Sequence, residues 1–248
     1  MISPSILTSD FHPDDDPMIS SAAVIPIKRL DRAKQRLAPI LTEEERTLLF
    51  TKMVEDVLTA TEACTSVDEI VVVTNDEFVI QLALGFGSRI IDEPVNPGLI
   101  PAVTEAAKQL TADGIGIMLF LPGDVPLVTP EELEVVMDGF GQTGEPEFLI
   151  VPASDLGGSN CIVCSPPDCM EFAFGEDSFR RHLAIARKLD IVPTVAKLPG
   201  IGLDIDTPED LEQLVKTLAD QAIESHTHRY LRESEILERM SEGLLRIG

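Results

Sequence analysis

The sequence predicts an α/β protein built on a mixed, mostly parallel, doubly wound sheet. Through the first 140 residues, short apolar runs alternate with amphipathic helical patterns, as parallel strands joined by crossover helices require. The apolar runs are near-continuous rather than alternating, residues 115–121 most clearly, and so read as strands buried on both faces. Beyond a break at residues 139–146 the pattern changes. Residues 148–152 and 161–164 are two strands with no helix between them, which makes the sheet mixed.

In chain order, residues 21–27 form the first strand and run into a basic loop, residues 28–37. Thr42-Glu43-Glu44-Glu45 is a capping box, and behind it Leu49, Met53, Val57 and Ala60 recur at helical spacing. Residues 69–74 give a second buried strand. Asn75-Asp76 then caps a helix through Leu84, closed by Gly85-Phe86-Gly87. A short strand at 88–91, a loop at 92–98 and a helix at 101–110 lead to the central strand at 115–121. Thr129-Pro130-Glu131-Glu132 starts the next helix with an N-cap hydroxyl, Pro in the first turn and Glu at the third position. A helix at 178–189, a strand at 191–196 and a helix opened by Thr207-Pro208 follow. Leu231, Leu237, Met240 and Leu244 mark a last amphipathic helix, packed either on its own domain or on a second copy in a homodimer.

The 248 residues divide into an acidic leader (1–20, with Asp10, Asp14, Asp15 and Asp16), one domain (21–219) and a helical C-terminal extension (220–248). No apolar run reaches the ~18 residues of a membrane helix, and no secretory signal is evident, so the expected location is cytoplasmic. The net charge of −24, from 43 acidic and 19 basic residues, argues against nucleic acid or an anionic membrane as partner. Any phosphate site must be assembled locally. Cys161 and Cys164 lie on opposite faces of one strand, which favours buried thiols over a metal cluster with Cys169.

Five of the ten residues from Lys28 to Leu37 are Lys or Arg, a concentration that fits a phosphate site better than an ordinary solvated loop. Asp124 follows the central strand through Leu121-Pro122-Gly123, at the sheet edge where open α/β proteins bind ligands; otherwise it is a turn residue capping its own backbone. Asp204 and Asp206 alternate with Leu203 and Ile205, so both carboxylates face one way in an extended segment. Polyphosphate chemistry uses Mg²⁺ held by two or three oxygens, and Lys28, Lys34 and Arg36 supply direct phosphate contacts. There is no Gly-Lys-Ser/Thr phosphate loop and no evident Ser-His or Cys-His nucleophile, so the acceptor itself attacks the α-phosphate. Gly157-Gly158-Ser159-Asn160 is either a plain hairpin turn or a donor loop that approaches a ligand. Gly175 and Ser178 open a helix and offer either an N-cap or an anion site, while His182 on its first turn reads as packing.

Six stretches together resemble the phospholactate/phosphoenolpyruvate guanylyltransferases of deazaflavin coenzyme F420 biosynthesis. They are Ile25-Pro26-Ile27-Lys28-Arg29-Leu30, Ala33-Lys34-Gln35-Arg36-Leu37, Leu121-Pro122-Gly123-Asp124-Val125-Pro126-Leu127, Gly157-Gly158-Ser159-Asn160, Phe174-Gly175-Glu176-Asp177-Ser178-Phe179 with His182, and Leu203-Asp204-Ile205-Asp206-Thr207-Pro208. They occur in family order over about residues 22 to 218. The resemblance implies a nucleotidyltransferase fold of the molybdenum-cofactor guanylyltransferase kind, GT-A-like in outline. It implies GMP transfer from GTP to a small phosphorylated three-carbon acid, phosphoenolpyruvate or 2-phospholactate, with release of pyrophosphate. It also implies Mg²⁺ on Asp124 and Asp204 with Asp206, substrate phosphates on Lys28, and the acid on Asn160, Gly175 and Ser178 beside Ser159. Two positions depart from the pattern: Gly98-Leu99-Ile100 stands where Gly-Leu-Asn is usual, and Ser159 where Thr is common. The acidic leader and C-terminal extension favour phosphoenolpyruvate. The competing readings are transfer to 3-phosphoglycerate, a sugar phosphate or a molybdopterin, a metal-dependent glycosyltransferase, and a non-catalytic nucleotide-binding module. The first strand lacks the glycine-rich loop of the sugar and molybdopterin enzymes, and Asp204-Ile205-Asp206 comes too late for a glycosyltransferase D-x-D.

Overall fold

A computed structural model describes residues 19–30, 33–221 and 224–241; most of the acidic leader, Arg32 and Leu244 lie outside the described residues. The strands are β1 (Ser21–Pro26), β2 (Glu69–Val73), β3 (Arg89–Ile91), β4 (Ile117–Phe120), β5 (Glu147–Pro152), β6 (Ser159–Ser165) and β7 (Pro193–Val195). They form one sheet in the order β3-β2-β1-β4-β6-β5-β7. The β1–β2, β1–β4, β2–β3 and β5–β7 pairs are parallel, whereas β6 runs antiparallel to both β4 and β5. The strand predicted as central, β4, is the middle one of seven, and all four of its residues are buried.

Helices α1 (Glu43–Ala63), α2 (Glu77–Gly85), α3 (Leu99–Ala112), α4 (Pro130–Met137), α5 (Ser178–Lys188), α6 (Pro208–Gln221), α7 (His226–Glu233) and α8 (Ile236–Ser241) cover both faces. Adjacent strand residues point to opposite sides, which divides the core in two. Ala23, Ile25, Val72 and Leu119 join Leu49, Met53 and Val57 of α1, Leu133 of α4 and Leu211 of α6. Ala22, Val24, Val71, Met118 and Phe120 join Val103 and Ala106 of α3 and Ala186 of α5. Cys161 falls in the first cluster and Cys164 in the second, both buried and free, as their spacing on one strand predicts.

The predicted helix starts hold, with two refinements. Thr42 and Glu45 form the full capping box of α1, and Asp76 accepts from Phe78 N–H and Val79 N–H at the start of α2. At α4 only half of the box forms. Thr129 accepts from Glu132 N–H, but the Glu132 carboxylate turns elsewhere. The C-terminal segment is two short helices rather than one, and it packs on its own domain: Leu231 and Ile236 join the first core cluster. Asp56 of α1 accepts from the backbone N–H of His226 and Thr227 at 2.7 and 2.9 Å, so a carboxylate from one helix caps the start of another. Arg239 of α8 reaches Glu45 at 2.5 Å, a second tie to α1.

Candidate active site

The carboxyl ends of β1, β2 and β4 open onto one cleft of about 750 Å³. It is lined by Pro26, Ile27, Pro122 and Gly123, by the acidic Asp124 and Asp206 with the basic Lys28 and Lys34, and by Glu93, Pro97, Gly98 and Leu99. Ile100 points to a separate hollow between α3 and α5, shared with Thr104 and Phe172. The position where the pattern usually has Asn therefore does not line the cleft here.

Lys34 is the organising side chain. It adopts a left-handed backbone conformation (φ 54°) ahead of a single 3-10 turn, Gln35–Leu37, and is only 9% exposed. Its ammonium donates to Asp124 Oδ2 at 2.5 Å and to Asp206 Oδ1 at 2.8 Å, over the ring of Phe50 at 5.5 Å. Burial alone would push this ammonium down, but Asp124 and Asp206 outweigh it and hold Lys34 above its ordinary value. Burial likewise pushes Asp206 up, and Lys34 and Arg36 reverse it, leaving the carboxyl below the usual range. Arg36 is largely exposed and stands 3.7 Å from Asp206 Oδ2. Lys28 and Arg29 are exposed at the cleft.

Asp204 completes the cluster by a different route. Ile205 N–H donates to Asp124 O at 3.1 Å, which ties the Asp204–Asp206 segment to the end of β4. Asn160 of β6 donates from one amide group to both Asp204 Oδ1 and Ile201 O, each at 3.0 Å. Burial, then the charge of Asp124, push the Asp204 carboxyl above its ordinary value, with Asn160 opposing them. Asp204 is thus a charged group short of positive partners. Among the described residues no three acidic, His or Cys side chains stand as a ready-made metal cage; the Lys34 ammonium lies between Asp124 and Asp206 instead. The donor set still suits Mg²⁺. It consists of hard carboxylate oxygens, and their mutual repulsion at Asp204 is what a divalent cation relieves.

Sequence reasoning missed the brace behind Asp204. Glu132 of α4 accepts from Gly200 N–H at 2.8 Å and Ile201 N–H at 2.9 Å, and Ile201 O in turn receives Asn160. The approach is close enough that a Cβ on Gly200 would meet Leu127 O at 2.2 Å, so only glycine fits. Nothing in Thr129-Pro130-Glu131-Glu132 distinguishes this carboxylate from an ordinary capping-box partner. Only the tertiary fold shows its use.

The predicted acid-binding residues do lie together, but their side chains face inward. Ser178 is the first residue of α5 rather than its N-cap, which is Asp177 at φ 52°. Its hydroxyl sits 3.1 Å from Ser159 Oγ, and Ser159 Oγ sits 3.0 Å from His182 Nδ1. Ala173 N–H donates to His182 Nε2 at 2.8 Å, which leaves the proton on Nδ1, donated to Ser159. Gly175 (φ 108°) turns the chain into α5, its carbonyl accepting from Ser178 N–H, while Phe179 N–H donates to Gly157 O. Both amide donors of Asn160 are committed, one to Ile201 O and one to Asp204.

Burial is the main cause that lowers His182 to about 4 from 6.5. A histidine with a depressed folded pKa stabilises the fold fully above the unfolded value and loses that contribution as pH falls from about 6.5 toward 4. His182 is therefore expected to cost about 2 kcal/mol of stability between pH 7 and pH 5. Urea unfolding of wild type and His182→Gln at both pH values checks this. The variant should lack that part of the pH slope, and parallel slopes would refute it.

The sheet order, the carboxylates at the ends of strands and the basic loop after β1 are those of a nucleotidyltransferase. Solved structures agree on the fold. A nucleotide-diphospho-sugar transferase structure from Desulfovibrio desulfuricans superposes with a TM-score of 0.70 at 18% identity, over 89% of this chain and 97% of that one. A nucleotidyl transferase from Methanothermobacter thermautotrophicus gives 0.59 at 17%, over 82% and 99%. The family follows from sequence: residues 21–244 match the model described as "Guanylyl transferase CofC like", and the chain belongs to that family of enzymes. A phosphoenolpyruvate guanylyltransferase from Conexibacter woesei is 34% identical over 203 residues, 82% of this chain and 91% of that protein. A 3-phospho-D-glycerate guanylyltransferase from Colwellia psychrerythraea is 34% identical over 191 residues (77% and 89%), and a 2-phospho-L-lactate guanylyltransferase from Methanobrevibacter smithii 29% over 213 (86% and 90%).

Proposed function

We propose that this enzyme transfers GMP from GTP to phosphoenolpyruvate, as a step of coenzyme F420 biosynthesis in the cytoplasm. The observation that carries the reading is the convergence of Lys28, Lys34, Asp124 and Asp206 around one cleft at the carboxyl edge of the sheet, with Asp204 close enough to feel the charge of Asp124. A phosphate oxygen of the acid attacks the α-phosphorus of GTP. The new P–O bond forms as the bond to the β-phosphate breaks, and pyrophosphate leaves. The protein's part is to position two anions and neutralise their charge. Lys28 and Arg36, exposed at the basic loop, meet the phosphates, and Lys34 holds Asp124 and Asp206 in place. Asp124 and Asp204, with Asp206, would hold Mg²⁺, which when bound supplies further neutralisation of the phosphates. The acid lies along the seam of Ser159-Asn160 with Gly175 and Ser178.

The acceptor is phosphoenolpyruvate on the strength of the Conexibacter relative; transfer to 3-phosphoglycerate is the second reading, favoured by the equal identity of the Colwellia relative. A panel of the two acids and 2-phospholactate with GTP and Mg²⁺, read by mass spectrometry of the diphosphate product, decides. Product from phosphoenolpyruvate at much the highest kcat/KM is expected, and turnover of another acid alone would replace it. Lys28→Ala is expected to lower kcat/KM about 10- to 100-fold, the worth of a hydrogen bond to a charged group, and Arg29→Ala much less. Equal losses in steady-state assays would mean a diffuse basic surface instead of a defined contact.

A further inference from the structure

Glu93 is out of place in a cleft meant for a triphosphate. It follows β3 by two residues and lines the rim of the cleft with Pro97, Gly98 and Leu99. Its backbone is fixed on both sides by one side chain: Asn75 Nδ2 donates to Glu93 O, and Glu93 N–H donates to Asn75 Oδ1, both at 3.1 Å. Among the described residues its carboxylate has no hydrogen-bond or ion-pair partner. A carboxylate anchored by its main chain and left unpaired at the edge of an anion site repels phosphate, and it requires donors from the ligand instead.

Its place in the sheet says which part of the ligand supplies them. Asp124 and the basic loop stand at the ends of β4 and β1, while Glu93 stands at the end of β3, three strands from β4. At ~4.8 Å per strand this is roughly 14 Å. A nucleotide with its α-phosphate at Asp124 therefore brings its base to Glu93. Guanine presents adjacent N1–H and 2-amino donors on its Watson–Crick edge, a pair that one carboxylate accepts with its two oxygens. Adenine, cytosine and uracil present no such pair.

We infer that Glu93 is the residue that selects guanine, accepting from N1–H and the 2-amino group. The inference rests on the guanylyl-transfer reading and adds the specificity determinant to it. The test compares GTP, inosine triphosphate (which lacks the 2-amino group) and 2′-deoxy-GTP in the full-length wild type, Glu93→Ala and Glu93→Gln. Turnover with Mg²⁺ and phosphoenolpyruvate is paired with nucleotide binding measured by thermal shift. Wild type is expected to prefer GTP over inosine triphosphate by about 10- to 100-fold. In Glu93→Ala this preference should fall to near one, with Glu93→Gln between, while the ratio of GTP to 2′-deoxy-GTP stays unchanged. An unchanged preference for GTP in Glu93→Ala overturns the inference. So does a collapse of the 2′-deoxy ratio instead, which would assign Glu93 to the ribose. Binding is read without an acceptor, so a protein that binds GTP selectively through Glu93 yet transfers GMP to none of the acids counts against the proposed reaction alone.

Discussion

Asp124→Asn is expected to reduce turnover by at least ~10²-fold, the usual cost of losing one electrostatic contact to a reacting phosphate. The amide keeps the shape of the carboxylate and can still accept from Lys34, so the fold should survive; Asp124 sits on a loop after β4, and its backbone oxygen, not its side chain, receives Ile205 N–H. A circular dichroism spectrum like that of the wild type, with kcat reduced and little change in the constant for the acid, is the expected pattern. Near-normal activity at saturating Mg²⁺ would remove Asp124 from the metal set.

The second large effect concerns Lys34. Lys34→Met keeps an apolar stem of similar length and deletes the ammonium from over Phe50 and from between Asp124 and Asp206. Breaking a buried pair from one side costs about 3–5 kcal/mol. The Asp206 side chain is 44% exposed, however, so water screens part of the repulsion, and about 1–3 kcal/mol is the better expectation here. Because a cation has been removed from among carboxylates, added Mg²⁺ should restore much of the loss, and the variant should bind Mg²⁺ more tightly than wild type without nucleotide. Melting temperatures across a Mg²⁺ series check both points. A loss of stability that Mg²⁺ leaves untouched would mean these carboxylates do not form a metal site.

The sheet was legible because its signals are local. Buried strands announce themselves as apolar runs, and Thr42, Asp76, Thr129 and Thr207 cap helices through contacts within three or four residues. The candidate site was legible as a set of charged residues in loops, of which Lys28, Lys34, Asp124 and Asp206 line one cleft. Their partnerships were not legible. Lys34 meets Asp206 across 172 positions of sequence, and Asn160 meets Asp204 across 44. No short motif encodes such distances. The same holds for Glu132, which satisfies a helix-start pattern and is then diverted by the loop at Gly200. Ser178 opens α5 as its pattern predicts, but the αL residue Asp177 takes the cap position, and the Ser178 hydroxyl points into the Ser159–His182 network, which no local pattern encodes.

The capping of α7 by Asp56 bears on how the chain matures. Asp56 is made early, on the helix that covers the first face of the sheet, yet its two donors are the amides of His226 and Thr227, 170 and 171 positions later. A carboxylate 7% exposed and lacking those amides is costly to bury, so α1 should remain loosely seated until residues 226 and 227 are available to it. Docking of α7, rather than completion of the sheet, is then the event that seats α1 in its native place.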